Sequence, residues 1–238
     1  VVDEAFVRRG APSVNALWRS HTAVLIGDYI FARTYHVCME QGGDDMLSEA
    51  TRSVHEMSEG ELTQTELSES LRMTRELYLD IIYKKTASLL GVSASAGALA
   101  VGATRDKVAT MRRFGEAVGM AFQIQDDILD YTPSAQTGKP VCNDLREGKI
   151  TLPLLTVLDR ASEERRADLL DRLARCHEDD EAVEYLRLAV EREGGLSAAA
   201  EVMQGYVSRA VGMLSDYDDS DYRSALVNLC AYIVERDR

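Results

Sequence analysis

Only four prolines punctuate 238 residues, and this scarcity constrains the fold more than any other feature of the chain. An all-β protein of this length needs a turn roughly every ten residues, and proline and glycine supply most of that punctuation. Here Ala, Leu, Glu and Arg are abundant and β-branched runs are few, so a mostly helical chain is expected. The 45% hydrophobic content suits a globular protein with a sizeable core.

Charge narrows the function. Lys and Arg number 27 against 40 Asp and Glu, a net charge of −13, which leaves no broad basic face for nucleic acid. An anionic ligand would have to be held by metal or by a few placed cations. Cys38, Cys142, Cys176 and Cys230 lie far apart, with no CxxC pair and no His at ligand spacing. That argues against zinc and for a reducing, cytoplasmic setting. The longest uncharged stretch, Ala87 to Ala103, holds 17 residues, among them Ser88, Ser93, Ser95, Gly91, Gly97 and Gly102. It is too short and too polar to span a bilayer and reads as a buried helix.

The hydrophobic periodicity predicts successive long helices. From Ser13 to Met39 the positions Val14, Leu17, Trp18, Val24, Leu25, Ile30 and Phe31 fill most of a helix surface, so this element is expected to be buried on several sides and to end at Gly42-Gly43. A second helix is expected over about 45–67, a third over 74–101 and a fourth over 106–131. Pro133 and Pro140 bracket a loop over 132–143 whose length suggests function. Thr151 is expected to cap a helix with Pro153 in its first turn. Three amphipathic segments around Val183, Met203 and Leu226 complete the chain as a supporting layer of one domain, 1–238.

The sharpest local signal is Phe122-Gln123-Ile124-Gln125-Asp126-Asp127-Ile128-Leu129-Asp130 at the end of the fourth helix. At 100° per residue Asp126 and Asp130 lie about 40° apart, and Asp127 and Gln123 share their arc. Unpaired, these carboxylates would repel one another, and a helix C-terminus is a poor place for anions. Hard divalent cations bridging carboxylates and substrate phosphates would remove that repulsion. A solvated acidic helix end is the bland alternative. Lys139 and Lys149 follow on the loop, where cations beside a metal site suit a phosphate. Each is also an ordinary surface lysine.

Taken in order, Asp3-Glu4-Ala5 to Arg8-Arg9-Gly10, Gly27-Asp28-Tyr29, Glu59-Gly60-Glu61, Lys85-Thr86, the Gln123 to Asp130 run, Gly138-Lys139 and Lys149 resemble the trans-isoprenyl diphosphate synthases, or polyprenyl synthetases. The resemblance covers essentially the whole chain. It implies an all-α fold of antiparallel helices around a deep central cavity, the isoprenoid synthase fold, in a homodimer using three Mg²⁺ ions. The implied activity is condensation of isopentenyl diphosphate with an allylic prenyl diphosphate.

By the same resemblance Asp126, Asp127 and Asp130 form the second of two Asp-rich metal motifs, and Asp3 is the last aspartate of the first. Its two leading aspartates would precede Val1, so the chain is expected to be incomplete at its N-terminus. Arg8, Lys85 and Lys139 are implied contacts to the allylic diphosphate, Arg9 to isopentenyl diphosphate, and Lys149 guards the loop side. Thr86 and Gln123 are implied near the reacting carbons, and Arg236 near the second diphosphate. The loop pattern favours a product of geranylgeranyl length or longer, and the small residues Ser93 to Ala98 suit either a long product tunnel or close helix packing. A class I terpene cyclase would need an Asn/Asp-Ser/Thr-Glu motif, and none follows Asp130. A non-catalytic partner subunit is the other alternative, although such subunits usually lose the acidic or Arg motifs kept here.

Overall fold

The computed structural model describes residues 7–8, 11–132 and 141–236, and nearly all of these are helical. The chain divides into two compact units, residues 1–51 and 52–238. In the first, β1 (Val7–Arg8) pairs antiparallel with β2 (Ala11–Pro12), Arg8 standing opposite Ala11. α1 (Val14–Val37) starts at Ser13, whose hydroxyl accepts the Ala16 amide at 3.1 Å. Arg19, at φ 67° and ψ 161°, interrupts it and joins two helical pieces. That backbone region is nearly reserved for glycine, so Arg19 is strained.

Two expectations fail in this unit. No residue of α1 is buried, and Leu17, Trp18, Val24, Leu25, Tyr29 and Ile30 are half exposed or more. The apolar surface is there, but a single long helix with a two-residue hairpin makes no core of its own to receive it. Nor do Gly42 and Gly43 stop the helix. A π-helical turn, Cys38–Gly42, leads straight into α2 (Gly43–Ser70). Glycine in a helix costs only about 1 kcal/mol against alanine, and Asp44 and Asp45 in the first turn of α2 favour its N-terminus.

The second unit opens within α2. α3 (Arg75–Ile82), capped by the Thr74 hydroxyl, continues through a π-helical turn at Tyr83–Ala87 into α4 (Ser88–Ala100). α5 (Arg105–Leu129) matches the expected fourth helix. The short α6 (Asn143–Arg146) follows, then α7 (Leu152–Arg160), α8 (Glu163–Leu173), α9 (Asp180–Arg192), α10 (Gly195–Met213) and α11 (Asp221–Glu235). α8 was not among the expected segments, since Leu169, Leu170 and Leu173 are thinly spread among charges.

α7 is the centre of this unit. Leu152, Leu154, Leu155, Val157 and Leu158 are at most 1% exposed, as a helix apolar on every side must be. Thr151 occupies its N-cap position with Pro153 in the first turn, but the threonine hydroxyl makes no capping bond, contrary to expectation. α4 and α5 run antiparallel in backbone contact. A Cβ added at Gly115 would sit 2.3 Å from the Leu90 carbonyl oxygen, and one at Gly119 would sit 2.5 Å from Ala87 Cα. Among the described residues no helix is long and apolar enough to cross a membrane.

Candidate active site

The last turn of α5 carries the three aspartates, and each meets a different partner. Asp127 is buried, accepting the Tyr78 hydroxyl of α3 at 2.6 Å and Gln123 Nε2 at 2.9 Å. Gln123 Oε1 in turn accepts the Thr86 hydroxyl at 2.8 Å. This chain of bonds fixes the amide orientation of Gln123 and ties the π-helical turn to α5. Burial pushes the Asp127 carboxyl up to about 8, with Asp144 adding to the rise and the Tyr78 and Gln123 bonds opposing it.

A pH dependence follows for the metal-free protein. The folded state binds the Asp127 proton more tightly than the unfolded chain does, so its contribution to stability falls as pH rises from the ordinary carboxyl range towards about 8. Thermal unfolding between pH 5 and 8 should show the melting temperature declining across that window. Asp127→Asn should flatten the decline, and an equal slope in the variant would refute the assignment.

Asp130 is oriented by backbone. Its carboxylate accepts the amides of Asn143 and Asp144, each at 3.1 Å, at the start of α6. Its carboxyl is raised by burial, against the pull of those two amides. Asp144 is partly buried, and desolvation together with Asp130 pushes its carboxyl up to about 6. Lys149 pairs with Glu147 and lies 3.8 Å from Asp144 Oδ1. Asp126, its side chain 42% exposed, is more open than the buried Asp127, and its Oδ1 is taken by Arg236.

The π-helical turn separates two neighbouring lysines. Lys84 pairs with Asp80 at 2.7 Å and Glu59 at 3.0 Å, while Lys85 pairs with Glu61 at 2.7 Å and bonds to Gln64. Gly60 permits this approach of α2, for a Cβ there would lie 2.9 Å from Lys84 Cβ. Thr86, Gln123 and Asp127 are thus brought together, with Tyr78 and Asp144 as members that sequence reasoning did not single out. Asp144 stood in view within Asn143-Asp144-Leu145, but only its place against Asp130 distinguishes it. Tyr78 carried no signal beyond a core-like position. Arg8 lies on β1, and Asp3, Arg9 and Lys139 fall outside the described residues.

Among the described residues no three acidic, His or Cys side chains gather closely enough to hold a metal by themselves. The expected trio shares an arc of helix, but Asp127 turns to Tyr78 and Asp130 to backbone amides. An all-oxygen donor set with one accessible carboxylate still fits a hard cation. Mg²⁺ keeps several waters and binds through one or two carboxylates plus substrate phosphates.

Further along the α4–α5 pair is a cleft of about 600 Å³ lined by Ala94, Gly97, Ala98, Val101, Met111 and Tyr217 among others. At 1.5 Å per residue it begins about 12 Å beyond Thr86 on α4. Within the small-residue run Ser93 to Ala98, Ser95 is buried, while Gly97 faces open space.

Comparison with known proteins agrees with this architecture. The polyprenyl synthetase family matches residues 1–190. A short chain isoprenyl diphosphate synthase of Methanothermobacter thermautotrophicus is 34% identical over all of this chain and 74% of its own length. An all-trans-nonaprenyl-diphosphate synthase of Rhodobacter capsulatus is 35% identical over 99% of this chain and 72% of its own. The crystal structure of a polyprenyl synthase from Caulobacter crescentus, complexed with calcium and isoprenyl diphosphate, superposes with a TM-score of 0.91 at 33% identity, covering all of this chain and 73% of that one. With its helices, acidic turn and family match in agreement, the chain belongs to the polyprenyl synthetase family of prenyltransferases.

Proposed function

We propose that the protein condenses isopentenyl diphosphate with an allylic prenyl diphosphate to make a longer all-trans prenyl diphosphate, of geranylgeranyl length or longer. The observation that carries this reading is the bonded chain Thr86, Gln123, Asp127 and Tyr78 beside the acidic end of α5, on a chain of this family. Relatives named for octaprenyl and nonaprenyl products support the longer lengths.

The family's divalent metal, here read as three Mg²⁺ ions, would be held by Asp126 with Asp3 and Asp130, and when bound it neutralises the diphosphate and makes it a better leaving group. Arg8, Lys85 and Lys139 add positive charge around the allylic diphosphate, Arg9 binds isopentenyl diphosphate, and Lys149 stands at the loop side. As the allylic C–O bond breaks, the oxygen dipoles of Thr86 and Gln123 steady the developing carbocation. They are already fixed by their mutual bond, so little reorganisation is needed. The double bond of isopentenyl diphosphate then attacks, a C–C bond forms, and the proton leaves to the departed diphosphate. Asp127, locked by two donors, orients Gln123.

Residues 1–238 are read as one domain of a homodimer, which the exposed apolar surface of α1 supports. Four free cysteines are in keeping with a cytoplasmic setting. The test is incubation of the full-length protein with Mg²⁺, labelled isopentenyl diphosphate and farnesyl diphosphate, followed by chromatographic sizing. Labelled prenyl chains are expected. No incorporation, with dimethylallyl and geranyl primers failing as well, would overturn the reading in favour of a non-catalytic partner subunit.

The cleft makes product length testable. Gly97 has nothing within 4 Å of where a Cβ would stand, so a large side chain enters open space without a clash. Gly97→Phe is expected to shift the product distribution to shorter chains with the melting temperature preserved. An unchanged distribution would show that the growing chain never reaches this cleft.

A further inference from the structure

Arg236, where α11 gives way to extended backbone, is seated on the acidic end of α5. Its guanidinium carbon lies 4.0 Å from the centre of the Phe122 ring, and Nη2 donates both to the Phe122 carbonyl oxygen at 2.9 Å and to the Asp126 carboxylate. Its own carbonyl oxygen accepts Gln125 Nε2 at 3.1 Å. The Arg236 side chain is 8% exposed while that of Asp126 is 42% exposed. Contacts at Phe122, Gln125 and Asp126, spaced i, i+3 and i+4, thus fasten the end of α11 to one face of the helix that carries the aspartates.

We propose that Arg236 is a latch on Asp126. In the metal-free protein its guanidinium holds the carboxylate that a divalent cation requires, and loading of metal with diphosphate frees the end of α11 from α5. The proposal rests on the reading of Asp126 as a metal ligand. Two observations give it direction. A guanidinium and a divalent cation on one carboxylate compete for the same lone pairs and repel each other, the more strongly because the arginine is desolvated. In addition Arg236 Nε is buried without a hydrogen-bond partner. The seated arrangement therefore leaves one donor unsatisfied, which release into water or onto an anionic oxygen would correct. A side chain with two workable states whose balance shifts when a cation arrives is a switch.

The contrasting role is that of a fixed brace that pre-orients Asp126 for metal, and the two differ in sign. Mn²⁺ is titrated into the full-length protein without substrates, and free ion is read by electron paramagnetic resonance. Under the latch, Arg236→Gln binds Mn²⁺ about tenfold more tightly than the parent, the scale of one charge-assisted hydrogen bond lost to the competitor. Arg236→Lys, which keeps the charge but not the planar fork, should lie between. Adding Mn²⁺ with inorganic diphosphate to the parent should also raise hydrogen exchange at the amides of residues 232–236. Equal or weaker Mn²⁺ binding in Arg236→Gln overturns the latch, the weaker result identifying a brace. The companion variant Asp126→Asn separates the two readings. If it binds Mn²⁺ like the parent, Asp126 is not a ligand and the metal assignment falls as well. If it loses binding while Arg236→Gln gains none, only the latch falls.

Discussion

Asp126→Asn is expected to lower turnover by about 10²–10³-fold, the scale seen when one preorganised electrostatic contact to a developing charge is removed. The substitution is chosen because its amide oxygen still accepts from Arg236, so the contact between α11 and α5 survives. The Asp126 side chain is also 42% exposed, and no large loss of packing accompanies the change. Initial rates at saturating substrates with Mg²⁺, alongside far-ultraviolet circular dichroism, make the check. Helicity should be retained while the turnover number drops. A rate within a few-fold of the parent would remove Asp126 from the site. A rise confined to KM, with turnover unchanged, would make it a group that binds substrate and transition state equally.

The largest expected effect on stability comes from adding a single methyl group. Gly115→Ala would place a Cβ 2.3 Å from the Leu90 carbonyl oxygen and 2.9 Å from Gly91 Cα. Both neighbours are backbone atoms in the middle of helices, so neither can rotate aside, and α4 must move bodily from α5. Overpacking of this kind costs about 1–3 kcal/mol or more. For a chain of this size each 1 kcal/mol lowers the melting temperature by about 2–4 °C. A fall of several degrees is therefore expected by calorimetry, accompanied by weaker activity, because the same helix pair carries Thr86 and Gln123 to their 2.8 Å contact. Gly212→Ala is the control, since nothing lies within 4 Å of a Cβ there. If both variants melted together, the closeness of α4 and α5 would not be what stabilises the pair.

Much of this was legible in the chain itself, and the reasons differ by residue. The limits of α5 and its acidic turn could be read because they depend on local periodicity and on an unusual run of carboxylates at a helix C-terminus. The central burial of α7 likewise follows from an unbroken apolar run. Tyr78 could not be found this way, since its partner Asp127 lies 49 positions away and a buried tyrosine looks like any core residue until the fold closes. Asp144 is similar, for only the return of α6 to Asp130 makes its carboxylate unusual. The opposite error occurred at α1. Apolar periodicity says that a surface wants covering, but it does not say by what, and the helix in its own unit remains uncovered.

The π-helical turn at Tyr83–Ala87 has a consequence for how this chain can change length. Positions meeting α5 advance along α3 and α4 as Tyr78, Ala87 and Gly91, in steps of nine and four, while α5 answers at Asp127, Gly119 and Gly115 in steps of eight and four. The extra residue acts as a phase shifter between two geared rods, keeping one row of teeth engaged on both sides of the turn. Excising it would restore ordinary helix yet rotate everything downstream by about 100°. Tyr78 would still mesh with Asp127 while the glycines of α5 faced the wrong cog. A one-residue gap that would pass unnoticed in a surface loop is here a change of gear, so this stretch should tolerate substitutions far more readily than deletions.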